Sequence, residues 1–95
     1  MQFLTLSRRR TEAFSEADFV QHAEEESQRI RTLYAEGTVR QIWKRGDTPG
    51  ACILVEAENE TQVRAMLDSL PFAKLGMLEI IAVIPLQPYP GFGPR

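Results

Sequence analysis

Two extended segments of this chain are apolar on both of their sides. One is ACILVEA (Ala51–Ala57), the other MLEIIAVIPL (Met77–Leu86). Successive side chains of a strand point to opposite faces. Ala51, Ile53 and Val55 then share one face, and Cys52 and Leu54 the other. In the last segment the same alternation sets Leu78, Ile80, Ala82 and Ile84 against Ile81 and Val83. An antiparallel strand with one wet face carries polar residues on that face, and these two strands do not. The sheet they build needs a cover on each side. A chain of 95 residues makes one domain with a modest core, so it has little material for two covers.

The remaining elements supply one cover. QFLTLS (Gln2–Ser7) is a short strand, and RRRTEAF follows it as a basic loop. Ser15, with Asp18 three residues later, resembles a capping box and opens a long helix that runs to about Glu36, where Gly37 stops it. TVRQIWKR (Thr38–Arg45) and the third strand flank the turn GDTPG and form a hairpin. Asn59 with Gln62 caps a second helix, ETQVRAMLDSL, whose Val63, Met66, Leu67 and Leu70 keep helical spacing. PFAKLG (Pro71–Gly76) reads as a loop. The tail QPYPGFGPR is too rich in proline and glycine for regular structure, so residues 1–87 form the domain and 88–95 a tail.

The order β-α-β-β-α-β is the ferredoxin-like split βαβ arrangement: α+β, with a four-stranded antiparallel sheet and two helices on one face. The helices cover that face. A second copy of the chain, stacked sheet on sheet, is the simplest cover for the other.

The long helix carries an anomaly. With about 100° per residue and Phe19 at zero, Ala23, Ile30, Leu33 and Tyr34 fall within about 60° of Phe19 and make an apolar stripe. Glu26 falls near −20° in the same projection, inside the stripe, while Glu24 and Glu25 fall outside it. A carboxylate is costly to bury. Either it pairs with a cation, for which Arg29 and Arg40 are available, or it is a desolvated base. Desolvation raises a carboxyl pKa toward the working pH, which suits a general base for a carbon-bound proton.

Composition narrows the alternatives. A net charge of −2 gives no electrostatic case for nucleic acid or an anionic membrane. No apolar run approaches the ~20 residues of a membrane span. MQFLTLSRRR has its basic residues after its apolar ones, the reverse of a secretory leader. A single cysteine, Cys52, makes no internal disulfide and is consistent with a cytoplasmic protein. One histidine and one cysteine far apart provide no metal-ligand set.

Several pieces together carry a resemblance. They are Glu26, YAEG (Tyr34–Gly37), IWKR (Ile42–Arg45), ILVEAENETQVRAMLDSLP (Ile53–Pro71) and LEIIAVIPL (Leu78–Leu86). In these the chain resembles the muconolactone isomerase family. The resemblance implies a dimeric α+β barrel, in some members assembled further into rings such as decamers. It implies proton transfer within a small unsaturated lactone, in aromatic-compound catabolism, with no cofactor. The chain departs from the family pattern at Arg8–Arg10, in the loop after Pro71, and near Tyr89, where the isomerases carry a histidine.

Glu26 and His22, one turn earlier on the same helix, are thus the catalytic candidates. Trp43, Tyr34 and Arg40 are the substrate-binding candidates. Trp43 offers a flat wall and an indole N–H, although a strand tryptophan also serves as core or dimer filling. The Tyr34 hydroxyl could reach a carboxylate. Arg8–Arg10 could grip a substrate carboxylate, or form a solvated loop. A non-catalytic oligomeric module of the same fold, binding a small acid or another protein, is the alternative from a different class.

Overall fold

A computed structural model describes residues 1–93 and places β1 (Gln2–Arg9) next to the last strand at one side of a four-stranded antiparallel sheet. After β1 come α1 (Glu16–Ala35), β2 (Val39–Lys44), β3 (Ala51–Glu56), α2 (Glu60–Asp68), α3 (Pro71–Lys74) and β4 (Leu78–Leu86). The spatial order β2-β3-β1-β4 is that of the ferredoxin-like fold. Gln87–Gly93 form no helix or strand. The last two residues of the expected tail, 94–95, lie outside the described residues.

Local chemistry sets the element ends. The Ser15 hydroxyl accepts from the Asp18 N–H, and the Asp18 carboxylate accepts from the Ser15 N–H, so the capping box is complete. At the other end Gly37 adopts φ 85°, where a side chain would be strained. Thr38 N–H then donates to Leu33 O and Gly37 N–H to Tyr34 O, the paired bonds of a Schellman stop. Asn59 caps α2 through its bond from the Gln62 N–H. The expected loop after Leu70 is instead the short helix α3. Proline disfavours helical backbone in the residue before it, so Leu70 is extended and α2 ends. Pro71 itself suits a first helical position and starts a new turn.

The helices and one sheet face enclose the core. Phe3, Leu33, Val39, Val55, Val63, Leu67 and Leu70 are all buried there. Burying each such side chain contributes about 1.5–3 kcal/mol. A second cluster of Phe19, Phe72 and Met77 closes one end, with Phe19 and Phe72 edge to face at 5.4 Å.

Two irregularities revise the expected strand faces. Between Leu6 and Ser7 the pairing with β4 slips: Leu6 opposes Ala82, but Ser7 opposes Ile80. Ile81 is the extra residue of a β-bulge. The bulge shifts the alternation by one, so Leu78, Ile80 and Val83 pack on the core, while Ala82 and Ile84 fall on the other face. A strict period of two had grouped Ala82 and Ile84 with Leu78. On β2 the pairing likewise slips between Val39 and Gln41, with Arg40 as the extra residue. Val39 is therefore in the core, whereas Gln41 and Trp43 lie on the far face opposite Leu54 and Cys52.

That far face remains without a cover in a single copy. Trp43 is 47 % exposed, Ile81 48 % and Ile84 46 %, with Leu4, Leu6 and Leu54 half-buried between them.

The β2–β3 turn packs tightly on the end of β1. Arg9 N–H donates to Pro49 O, Arg45 donates to Ser7 O, and Ala51 N–H donates to the Ser7 hydroxyl. A Cβ on Gly50 would stand 2.1 Å from Ser7 O and 2.9 Å from Arg8 Cα. Both are backbone atoms and cannot rotate away. Gly50→Ala is expected to cost about 1–3 kcal/mol, as overpacking does. For a domain of this size that is a fall in Tm of roughly 5–20 °C, read by thermal melting. An unchanged Tm would mean that the turn shifts freely.

Candidate active site

Glu26 sits on α1 one turn before Ile30, on the side turned to the sheet. Its Oε1 accepts the Phe72 N–H at 3.0 Å. Phe72 is in the first turn of α3, where backbone N–H groups have no partner within the helix. The break at Pro71 thus supplies the donor that holds Glu26. Burial pushes the Glu26 carboxyl above its ordinary value near 4.5; the Phe72 N–H and the Arg9 charge oppose that rise without cancelling it.

The carboxylate stands on the wall of a cavity of about 410 Å³ between α1 and the sheet. Ile30, Ile53, Leu67, Leu70 and Ile80 make its walls apolar, and Ser7, Arg9 and Glu26 are among its polar groups. This is a volume for a small molecule.

Neither arginine singled out as a partner for Glu26 reaches it. Arg29 donates twice to the Ser69 hydroxyl, at 3.1 and 3.0 Å, and ties α1 to the end of α2. Arg40 is exposed at the β2 irregularity. Among the described residues no cation lies within ion-pair distance of Glu26.

Of the residues singled out in the sequence, the structure brings Glu26 and Trp43 to one cavity. Trp43 borders it from the edge strand, with its register on the uncovered sheet face. His22, Tyr34 and Arg40 are not on the lining. His22 is half-buried on α1. Tyr34 is 65 % exposed, and Ala23 is exposed as well. The buried side of α1 centres on Glu26 and Leu33, at about −20° to −40° from Phe19, which leaves both Ala23 and Tyr34 beyond its edge.

Arg9 was not singled out by itself. The basic run is not all loop, because β1 continues through Arg9. Arg9 thereby falls in step with Phe3, Thr5 and Ser7, on the helix side. The signal was present: extending the period of two by one more residue places this arginine inside.

The sequence model of the muconolactone delta-isomerase family matches residues 1–91. The chain belongs to that family. No curated protein matches it in sequence. A solved structure of similar fold is 5-chloro-2-hydroxyhydroquinone dehydrochlorinase (TftG) from Burkholderia phenoliruptrix AC1100, in complex with 2,5-dihydroxybenzoquinone. The TM-score is 0.68, with 20% identity over 88% of this chain and 89% of that one. At that identity the likeness is one of fold. Within the muconolactone delta-isomerase fold, the cavity lies between the long helix and the sheet, and Glu26 is its half-buried carboxylate. No helix among the described residues is long and apolar enough to cross a membrane.

Proposed function

We infer that this chain catalyses a cofactor-free proton transfer on a small unsaturated lactone or enolisable carbonyl compound derived from an aromatic ring, with Glu26 as the general base. The observation that carries this reading is the Glu26 carboxylate itself: desolvated, on a cavity wall, held by one N–H and not neutralised by an ion pair. A paired carboxylate would be a poor base. This one is poised nearer the working pH.

The reaction needs one group that moves a proton twice. Glu26 takes a proton from a carbon activated by the carbonyl, and the electron pair moves to the carbonyl oxygen as a dienolate. The Glu26 carboxylic acid then returns the proton to another carbon on the same face, and the double bond shifts. Family membership supports the reaction class. The dehydrochlorinase of similar fold, with its quinone ligand, supports a flat ring-derived substrate. Trp43 at the border would complete the wall against such a ring. A second copy of the chain, covering the far sheet face, completes the barrel.

Deuterium uptake into a panel of butenolides and carboxylated lactones in deuterated water tests the assignment. The wild-type protein is expected to exchange at least one of them. Exchange by Glu26→Gln at the wild-type rate would sink it.

A further inference from the structure

The three arginines after the core of β1 have different fates. Arg8 pairs with Glu79 and Glu12. Arg10 donates to Gly76 O at 2.8 Å and lies near Glu12. Arg9 has neither kind of partner: among the described residues no carboxylate is within ion-pair distance of it, and its guanidinium makes no hydrogen bond. It is held instead by faces of aromatic rings. Its guanidinium carbon is 4.8 Å from the Phe19 ring centre and 5.3 Å from that of Phe72. The two rings hold the guanidinium by cation–π attraction and packing, and neither accepts an N–H in place of an oxygen, so its donors stay available. Arg9 also lines the cavity that holds Glu26.

We propose that Arg9 is the anion-binding group of this cavity and receives a planar oxyanion of the ligand while Glu26 faces the carbon to be deprotonated. This rests on the reading of the cavity as a substrate site. The oxyanion has two possible sources, a carboxylate carried by the ligand or the dienolate oxygen formed in the reaction. Both present two lone-pair directions to a guanidinium fork. Two other cations border the cavity, but Arg31 is paired with Glu24 and both Arg31 and Lys44 are exposed to water, whereas Arg9 is half-buried beside the aromatic rings, where a charge is screened less. Glu26 itself repels an anion, which favours the orientation with the charge toward Arg9.

Binding of furan-2-carboxylate, an unreactive flat acid, measured by calorimetry against its neutral carboxamide, tests the proposal without catalysis. The wild-type protein is expected to prefer the carboxylate by about tenfold or more, the range of a charge-assisted pair. Arg9→Met keeps the stacking volume and is expected to lose that preference. Arg9→Lys keeps the charge without the fork and should retain part of it. Arg10→Met should retain all of it. Glu26→Gln should bind the acid as well as wild type or better, so loss of the base and loss of the anion site read out separately. No carboxylate preference in wild type, or an equal preference in Arg9→Met, overturns the proposal. The source is then assigned by exchange kinetics. A higher KM for a carboxylated lactone alone identifies the ligand carboxylate, and a lower kcat for a neutral butenolide identifies the dienolate oxygen. Arg9→Met kinetics equal to wild type on both would overturn it again.

Discussion

Glu26→Gln is expected to lower proton exchange by on the order of 10²–10⁴-fold, the usual contribution of a general base, and to leave the protein as stable as before or slightly more so at pH 7. The second half follows from the direction of the pKa shift. The folded state holds the Glu26 carboxyl above its ordinary value near 4.5, because burial disfavours the charge. Between the unfolded and folded values the folded protein binds more proton than the unfolded chain. Stability from this group is then fully present below about pH 4.5 and is lost as the pH rises through the folded value. Glutamine carries no such penalty and still offers an acceptor to the Phe72 N–H. The Tm difference, variant minus wild type, should be near zero at pH 4 and zero or positive at pH 7. A buried ion pair predicts the opposite, a loss of roughly 3–5 kcal/mol from the stranded partner. Melting curves at the two pH values separate these outcomes, and a large loss at pH 7 would remove Glu26 from the role of base.

The second large effect concerns assembly. In solution at micromolar concentration, light scattering is expected to give at least twice the chain mass of 10.8 kDa. The reason is the uncovered sheet face, where Trp43, Ile81 and Ile84 are each about half exposed in one copy. Soluble monomers rarely expose a contiguous apolar patch of this kind. Ile84 pairs with Leu4 near the middle of that face. Ile84→Glu places a charge there, and in a two-fold stack it does so twice. The variant is expected to fall to the 10.8 kDa monomer with little loss of its own fold, since the side chain is already half in water in a single copy. A wild-type monomer would end the argument for a second copy. A dimer undisturbed by Ile84→Glu would move the interface elsewhere.

The chain announced its elements because their signals are local. Ser15 with Asp18, Gly37, Asn59 and Pro71 act within a few residues, and each sets an end of a helix in the structure. The doubly apolar strands were equally legible, since a period of two is a property of the backbone. Glu26 stood out for a similar reason: a helix projection needs only one element.

Tertiary structure decided what depends on several elements at once. The bulges at Arg40 and Ile81 come from how neighbouring strands fit: one moved Val83 into the core and turned Ile84 out, and the other separates Val39, in the core, from Trp43 on the far face. Nothing in either strand alone marks the extra residue. The rotation of α1 is set by what packs beneath it, which is why Tyr34 left the stripe and Glu26 became more central. Arg9 became a cavity residue because β1 ran two residues further than its apolar pattern, held there by the turn at Pro49 and Gly50. The partner of Glu26 turned out to be a backbone N–H, 46 residues away, freed by a proline break. Sequence patterns rank side chains by charge and apolarity. They are blind to a donor that every residue but proline carries, and only the folded chain shows which one meets the carboxylate.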